Sequence, residues 1–543
     1  MNCAYVTLNP TLTLGRLDQL LYPLYAADLA AGRLTREEAG ALITDYYCKH
    51  NLIMGRGEHQ VGDATNSTTF DRICNFDAPQ YLLLAGTDQS GADAVNDLTL
   101  LFAERIEPAF KNPVVVVRYT LGMDQKHPDL WQTLIAHSLA GASLMYYNDD
   151  NMHRPYRRIG LPEEDINDYV HFGCNWPGFG RNGSWMSIGP ASSHYRCFRS
   201  PEEEKALRVP YMRYSGKGGW PMVLTDVLRE LADQPNLTID RIYDGFFAKW
   251  SDYVERKLKQ LERELEVRRR RPAAVMTFYD CFSEHSIRTA SCHSAGAKYH
   301  YEFQSFYMFG STVDCMIVVD QLVFLQKRLT LHQLLDATDA NFEGYPDVLA
   351  LCRSVEKYGS DTPHSNSHAK RMAEGAMGIV IEKSRPYLKQ FGLFLEPCLQ
   401  SDTWHLKAGL RVGATVDGSL ANTPYSQNSR PANGSCINGI TGMLNAMLHI
   451  PRDGVLSGAL NLDVDPGQFS GETGRQLFGT VLATYFNNGG LHAQVTAAKV
   501  EDLMDAQKNP DRHRDLRVRV TGYSGVFVDI CKDLQDDIIE RLK

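Results

Sequence analysis

Two short stretches of this 543-residue chain hold the side chains on which chemistry could turn. One is Val170-His171-Phe172-Gly173-Cys174-Asn175-Trp176-Pro177, where an imidazole, a thiol and an indole follow one another closely. The other is Arg517-Val518-Arg519-Val520-Thr521-Gly522-Tyr523-Ser524-Gly525-Val526-Phe527, near the C-terminus. Taken alone, a free cysteine is more often a buried structural thiol than a reagent. A glycine that ends a β-branched run reads first as a turn residue needing positive φ. Around Cys174 the types suggest more. His171 could move a proton. Trp176 could wall a pocket for an aromatic or cationic group. The Arg181 guanidinium could hold a carboxylate by two parallel bonds. Tyr146, Asp149, Asp150, Glu284, His285 and His293 are further acid/base candidates by type alone, with a structural role as the simpler reading of each.

The elements that must position these residues can be read from pattern. Val518, Val520 and Thr521 mark a strand, and Asp529 to Leu542 a helix with Ile530, Leu534, Ile538 and Leu542 near one face. Gly522 is therefore expected at a loop tip between that strand and the C-terminal helix. Tyr81 to Gly86 reads as a short apolar strand with a helix after it to about Ile106. Pro113 to Arg118 is a continuous apolar run, as buried parallel strands are, and a helix from Asp129 to Ala142 follows. Strand alternating with helix predicts a parallel α/β architecture. Thr35 with Glu38 three residues later predicts a capped helix start, and residues 51–75 read as a loop. Val223 to Arg271 reads as a charged helical stretch, with Arg268 to Arg271 as its solvated end, where cations suit the dipole. Gly178-x-Gly180-x-x-Gly183 has the form of a dinucleotide fingerprint. No helix can run on through Gly183, Gly189 and Pro190, so that reading is rejected.

Composition excludes several classes. Apolar residues make up 43% of the chain, enough for a sizeable core, and a net charge of −9 leaves no basic footprint for nucleic acid. The twelve cysteines include no C-x-x-C pair, which argues against zinc ribbons and thioredoxin-like motifs, and no metal site is expected. Scattered thiols suit a reducing interior. Neither a signal peptide nor an apolar run near membrane-span length is present. A soluble, cytoplasmic protein is expected, with no membrane partner.

The C-terminal phrase Arg519-Val520-x-Gly522-Tyr523-Ser524-x-x-Phe527 resembles the signature of the glycyl radical enzymes, the pyruvate formate-lyase-like superfamily. Further phrases agree in order. They are Gly15-Arg16-x-Asp18-Gln19, Gly91-x-Asp93-Ala94-x-Asn96, Tyr147-Asn148-Asp149-Asp150 ahead of Gly173-Cys174, Lys357-Tyr358-Gly359, and Gly489-Gly490-Leu491-His492. The resemblance covers residues 14 to 543. It implies a ten-stranded α/β barrel of two half-barrels, surrounded by helices and incomplete in this chain alone. Residues 1–415 would form the barrel core with the cysteine loop, and residues 416–543 the glycyl radical domain. Full-length relatives carry a large helical region ahead of the Gly-Arg-x-Asp-Gln phrase, so one expectation is a second polypeptide that supplies it, with a compact variant or a homodimer that covers the gap as the alternatives.

The resemblance also implies a mechanism. Gly522 would store an oxygen-sensitive radical installed by a separate radical S-adenosylmethionine activating enzyme. Cys174 would carry the thiyl radical that takes hydrogen from a small substrate, leading to bond cleavage by an anaerobic lyase. Gly173 stands where pyruvate formate-lyases have a second cysteine, so an acyl-thioester relay is not expected. Cys531 alone cannot provide the cysteine zinc site of anaerobic ribonucleotide reductases. Most family dehydratases and C–N or C–S lyases read Gly-Cys-Val-Glu, with the glutamate as base. Here Asn175 and Trp176 replace the last two residues, so the usual glutamate-assisted elimination is not expected. Asn175, Trp176, His171 and Arg181 are the candidate pocket residues. The alternatives are radical C–C bond formation by addition to an alkene, and a radical-carrying scaffold subunit without turnover.

Overall fold

The computed structural model describes residues 12–52, 80–167, 169–172, 176–179, 182–186, 219–270, 278–281, 284–401, 403–410 and 412–542. Their strands are β1 (Leu12–Gly15), β2 (Gln80–Ala85), β3 (Val114–Tyr119), β4 (Leu144–Asn148), β5 (Tyr169–Phe172), β6 (Trp176–Phe179), β7 (Gly183–Trp185), β8 (Tyr299–Ser305), β9 (Leu393–Cys398), β10 (Asn461–Val464), β11 (His492–Ala497), β12 (Arg517–Arg519) and β13 (Ser524–Val526). The chain forms two compact units. One holds residues 1–157, 161–181 and 459–543, the other residues 158–160 and 182–458.

The first unit is built on a six-stranded sheet in the order β1-β2-β3-β4-β11-β10. β1 to β4 are parallel, β11 runs antiparallel to β4, and β10 is parallel to β11. Every residue of β2, β3 and β4 is buried. That explains why their sequences are almost continuously apolar instead of alternating. Helices join the parallel strands. Asn96 opens the helix Asp97–Glu104, its Oδ1 accepting from Leu98 N at 2.9 Å and Thr99 N at 3.0 Å. The helix Pro128–Leu139 starts on a proline, which gives up no needed N–H there. It buries Leu130, Trp131, Leu134 and Ile135. The expected capping box at Thr35 and Glu38 opens the helix Arg36–Asn51.

The Gly-Arg-x-Asp-Gln phrase acts as a clamp on the end of β2. Arg16 donates to Ala85 O and Thr87 O, both at 2.5 Å. Asp18 Oδ2 accepts from Ala85 N and Thr99 Oγ1, both at 2.8 Å. Gly86, next in line, has φ +84°, and a Cβ there would meet Arg118 Cβ at 2.7 Å. Only glycine lets the backbone turn this close to β3.

The second unit contains the parallel sheet β7-β8-β9. The helices Trp220–Leu231, Ile239–Arg270, Phe309–Val319 and Pro363–Phe391 belong to it. Trp250 anchors two of them, donating its indole N–H to Ala376 O at 2.7 Å. Trp220, Phe246, Trp250 and Phe306 pack together as an aromatic core. The stretch from Val223 is two helices rather than one. The break falls at Gln234-Pro235-Asn236, where Pro235 lacks an N–H and Asn236 has φ +56°. The arginine run is also not wholly solvated. Arg268 is buried and paired with the equally buried Glu264 at 3.1 Å, while Arg269 and Arg270 are exposed. Arg271, Pro272 and most of the expected 51–75 loop lie outside the described residues. No described helix is long and apolar enough to cross a membrane.

Candidate active site

Residues paired directly across neighbouring strands point to the same side of a sheet. The registers therefore put Tyr81, Val116, Arg118, Met145, Tyr147, His492, Gln494, Thr496 and Asn461 on one face of the six-stranded sheet. Two hairpins of the same unit pack on this face. The first is β5–β6, which bounds Cys174. The second is β12–β13, which carries Gly522.

In the first hairpin, Phe172 pairs with Trp176 and His171 with Pro177. Gly173, Cys174 and Asn175 fall between the paired strands and lie outside the described residues, as does Arg181. Trp176 is half-buried on β6. His171 is fully buried and stacks on Tyr147, with ring centroids 3.6 Å apart at 29°. His492 meets the same tyrosine edge-on at 4.6 Å. Tyr169, two residues before His171, lies under Arg118, whose guanidinium carbon is 4.1 Å from the ring centroid.

The second hairpin is tight. Val520 N donates to Tyr523 O at 3.0 Å, leaving Thr521 and Gly522 at the tip. The expected strand before Gly522 is present as β12. The sequence reading missed β13, which pairs back with it before the helix Lys532–Leu542 begins. Gly522 is buried. Its carbonyl accepts from Tyr81 Oη at 3.2 Å. Neighbouring contacts fix the hairpin to the same face. Asn461 Nδ2 donates to Val520 O at 3.1 Å, and Arg519 N donates to Thr496 Oγ1 at 3.1 Å. The Arg519 guanidinium reaches Gln494 Oε1 at 2.7 Å and Ser143 Oγ at 2.9 Å. Along β4 and β11, Gln494 opposite Met145 belongs to the Gly522 hairpin, and Tyr147 opposite His492 to the Cys174 hairpin. These contact rows are two residues apart, about 7 Å of strand. Gly522 is not among the described glycines held at positive φ.

Electrostatics separate structural groups from available ones. Burial pushes the His171 pKa well below the ordinary imidazole range, and the Arg118 charge adds to this. Burial does the same to His492, helped by Arg519. Both rings are therefore neutral. His492 Nδ1 accepts from Leu460 N at 3.0 Å, which puts its proton on Nε2. Neither nitrogen of His171, nor Nε2 of His492, has a hydrogen-bond partner among the described residues. Buried polar atoms of this kind are normally satisfied by water or a ligand.

The other acid/base candidates are tied into the scaffold. Asp149 pairs with Arg118 at 2.8 Å and also accepts from Thr87 N at 2.8 Å and from Tyr169 Oη. Burial alone would raise its pKa, but Arg118 outweighs this and holds the carboxylate ionised. Tyr146 points to the opposite sheet face, where its hydroxyl donates to Leu134 O at 3.1 Å. Asp150 pairs with Arg154 at 2.8 Å near the surface. His285 and His293 belong to the second unit, where His293 Nε2 lies 2.8 Å from Gly183 O. The side chain of Glu284 lies outside the described residues. Sequence reasoning did not single out Tyr81, Tyr147 or His492 as site residues. Strand pairing and register put them on one face, and no local pattern in the sequence carries that.

A family model described as pyruvate formate lyase-like matches residues 2–395, and one described as glycine radical matches residues 425–528, which include Gly522. The chain belongs to the pyruvate formate lyase-like glycyl radical enzymes. Among its relatives, the isethionate sulfite-lyase of Oleidesulfovibrio alaskensis is 25% identical over 538 residues, covering 97% of this chain and 61% of that protein. The trans-4-hydroxy-L-proline dehydratase of Clostridioides difficile is 25% identical over 552 residues, covering 97% and 64%. In structure the chain is similar to the B12-independent glycerol dehydratase of Clostridium butyricum, with a TM-score of 0.79, 21% identity, and 98% and 64% of the two chains covered. The fold is thus that of the glycyl radical enzyme barrels, although the described strands form open sheets and no closed ring. The chain spans about three-fifths of the length of these relatives.

Proposed function

We propose that this chain is an oxygen-sensitive glycyl radical lyase in which Gly522 stores the radical and Cys174 delivers it to a small substrate. The reading rests on one observation. A buried Gly522 and the hairpin that bounds Cys174 occupy the same sheet face of one compact unit, with contact rows two residues apart. A Cα radical is planar and shares its electron between the flanking amide nitrogen and carbonyl. A side chain would crowd that state, which accounts for a glycine at this position. Burial keeps bulk water from the radical carbon. The Tyr81 hydroxyl holds the carbonyl through which the electron is shared.

The relay balances at each step. A radical S-adenosylmethionine activating enzyme removes one hydrogen atom from Gly522. The Gly522 radical takes the hydrogen atom of the Cys174 thiol, leaving a thiyl. The thiyl takes a hydrogen atom from substrate carbon. The substrate radical then expels its leaving group as an anion while the proton of a hydroxyl on the radical carbon passes to a neighbouring base. The product radical recovers the hydrogen atom from Cys174, and the thiyl so formed takes one from Gly522 to restore the stored radical. The protein's share is to position the substrate and exclude side reactions. Where Trp176 replaces a glutamate two residues after the cysteine, a neutral imidazole is the available proton acceptor. His171 fits this part, being buried and without a partner among the described residues, and the departing anion beside it would supply the counter-charge that lets the desolvated ring take a proton. The relatives named as a sulfite-lyase and a dehydratase support a C–S or C–O bond as the one cleaved. The described cysteines are all free thiols, which suits the reducing cytoplasm.

The test is anaerobic EPR after incubation with a competent activating enzyme. A doublet that collapses to a singlet in D2O, and is lost in Gly522→Ala, is expected. Cys174→Ala should keep the doublet and lose all turnover. A full-strength doublet in Gly522→Ala, or unchanged turnover in Cys174→Ala, would overturn the assignment.

A further inference from the structure

In the second unit, two histidines and an aspartate that no reading above assigns converge. His364 and His368 lie one turn apart at the start of the helix Pro363–Phe391. Asp320 opens a short π-helical turn, Asp320–Leu325, that continues the helix Phe309–Val319. Such turns cost hydrogen-bond geometry and recur at functional sites. His368 Nε2 lies 3.1 Å from Asp320 Oδ2, His364 Nε2 lies 3.4 Å from the same oxygen, and the two nitrogens are 3.1 Å apart.

Hydrogen bonding alone fits this triangle poorly. Two N–H groups sharing one carboxylate oxygen would subtend only about 60° at it, whereas donors normally follow lone pairs spread by about 120°. If one ring instead presented its lone pair, that lone pair would face a carboxylate oxygen. A cation resolves both conflicts, because all three atoms can then offer lone pairs to one point. The edges also have the right size. Ligand bonds of about 2.0–2.1 Å give ligand–ligand edges of about 3.3–3.4 Å in a tetrahedron and about 2.9 Å in an octahedron. The observed 3.1–3.4 Å fall within this interval. An ion about 2.05 Å from each ligand atom would sit roughly 0.9 Å above their plane, which leaves the far side open for water.

The surroundings are those of a ligand set. Tyr243 Oη lies 2.8 Å from His368 Nδ1, so an N–H there can donate to the phenol oxygen and leave Nε2 bare for a metal. His364 Nδ1 faces Glu356 at 3.8 Å, a second carboxylate placed to balance a divalent charge. The imidazoles stack with centroids 4.7 Å apart, which fixes their common aim. The His364 side chain keeps 22% of its exposure, which provides an entry path.

We propose that Asp320, His364 and His368 form a site for a divalent first-row transition ion such as zinc. The ion pins the start of the helix Pro363–Phe391 to the π-turn and keeps at least one coordination position open. Histidines four apart on one helix face were in the sequence, but the reasoning there weighed only cysteine spacing.

The experiment uses the full chain, reduced and stripped with a chelator, then titrated anaerobically with Co(II) and, in competition, Zn(II). One equivalent of Co(II) should bind with visible d–d bands and no thiolate charge-transfer band, and Zn(II) should displace it. His364→Gln, at the most exposed ligand, should weaken binding by well over tenfold. Tyr243→Phe, which removes only the outer partner, should weaken it about tenfold. In both variants the far-UV circular dichroism should be unchanged. Thiolate charge-transfer would assign the metal to the twelve cysteines and overturn the proposal. So would stoichiometric binding that His364→Gln leaves intact, or no binding at micromolar Co(II) by folded wild-type protein.

Discussion

The two compact units each bring a pair of histidines together, and the pairs are opposites. On the sheet face of the first unit, His171 and His492 flank Tyr147 with no carboxylate among their described hydrogen-bond partners and with nitrogens left over. On the helices of the second, His364 and His368 turn their Nε2 atoms onto Asp320. The same side chain is set up for different work by what faces its lone pair. A neutral imidazole on a strand can receive a substrate's proton or hydrogen bond. Two imidazoles one helical turn apart, closed by a carboxylate, present a fixed set of donors to an ion. The scaffold decides which arrangement is possible. A pleated strand sends alternate residues to one face, so strands from distant parts of the chain can meet around an open space. A helix brings i and i+4 together over a short stretch.

The largest effect that would sharpen this contrast is on turnover. His171→Ala is expected to lower kcat by about 10²–10⁴, the usual range for a positioned acid/base group, while the glycyl EPR signal keeps its intensity. His364→Gln should act instead on Co(II) binding. Full turnover in His171→Ala would break the comparison. Next in size is a stability effect on the scaffold beneath His171. Asp149→Asn leaves Arg118 buried without its counter-charge. The expected cost is about 3–5 kcal/mol, read as a drop in the urea midpoint, and a loss below about 1 kcal/mol would mean that Arg118 finds another partner.

Much of the first unit was legible because its strands are buried on both faces. The runs at Tyr81 and Val114 could hardly be anything but interior parallel strands, and the phrases around Gly15 and Gly522 named the family. What could not be read were groupings made by register. Nothing local in Tyr81, Tyr147 or His492 says that they share a face, because that depends on which strands pair and in what phase. The short strand Ser524–Val526 also escaped, since Gly525 lowers its strand signal. Arg268 looked like one of four surface cations. Burial beside Glu264, one turn earlier, is a matter of tertiary packing, which propensity does not report. The Asp320 cluster is the extreme case, because its third ligand lies 44 residues before His364.

A third prediction follows from the neutral rings. For His171 and His492 the folded pKa lies below the unfolded value of about 6.5. His300 behaves alike, pushed down to about 3 by burial and by the neighbouring arginines. Below about pH 6.5 the unfolded chain therefore takes up protons that the folded chain refuses. Their contribution to stability is complete above that pH and is lost as pH falls toward the folded values. Urea midpoints measured at pH 7.5 and 5.5 should differ for wild type, and the double variant His171→Gln/His492→Gln should flatten that difference. An unchanged slope would show that these rings are not the source.

The smallest expected effect concerns the single hydroxyl on the Gly522 carbonyl. Tyr81→Phe keeps the ring, which fills the start of β2, and removes one hydrogen bond. The net value of such a bond is about 0.5–1.5 kcal/mol, so global stability should move by no more than that. The radical is the better reporter. If the hydroxyl holds the carbonyl in the plane over which the electron is shared, the variant's EPR doublet should decay several-fold faster anaerobically, with hyperfine splitting altered by the looser tip. The contrast with His171→Ala then becomes a clean division of labour on one sheet face. The Cys174 hairpin's partner would change turnover and leave the radical alone. The Gly522 hairpin's partner would change the radical's lifetime before it changes turnover. An unaltered decay in Tyr81→Phe would mean that the hairpin's other anchors, through Asn461, Gln494 and Arg519, hold Gly522 without help from the phenol.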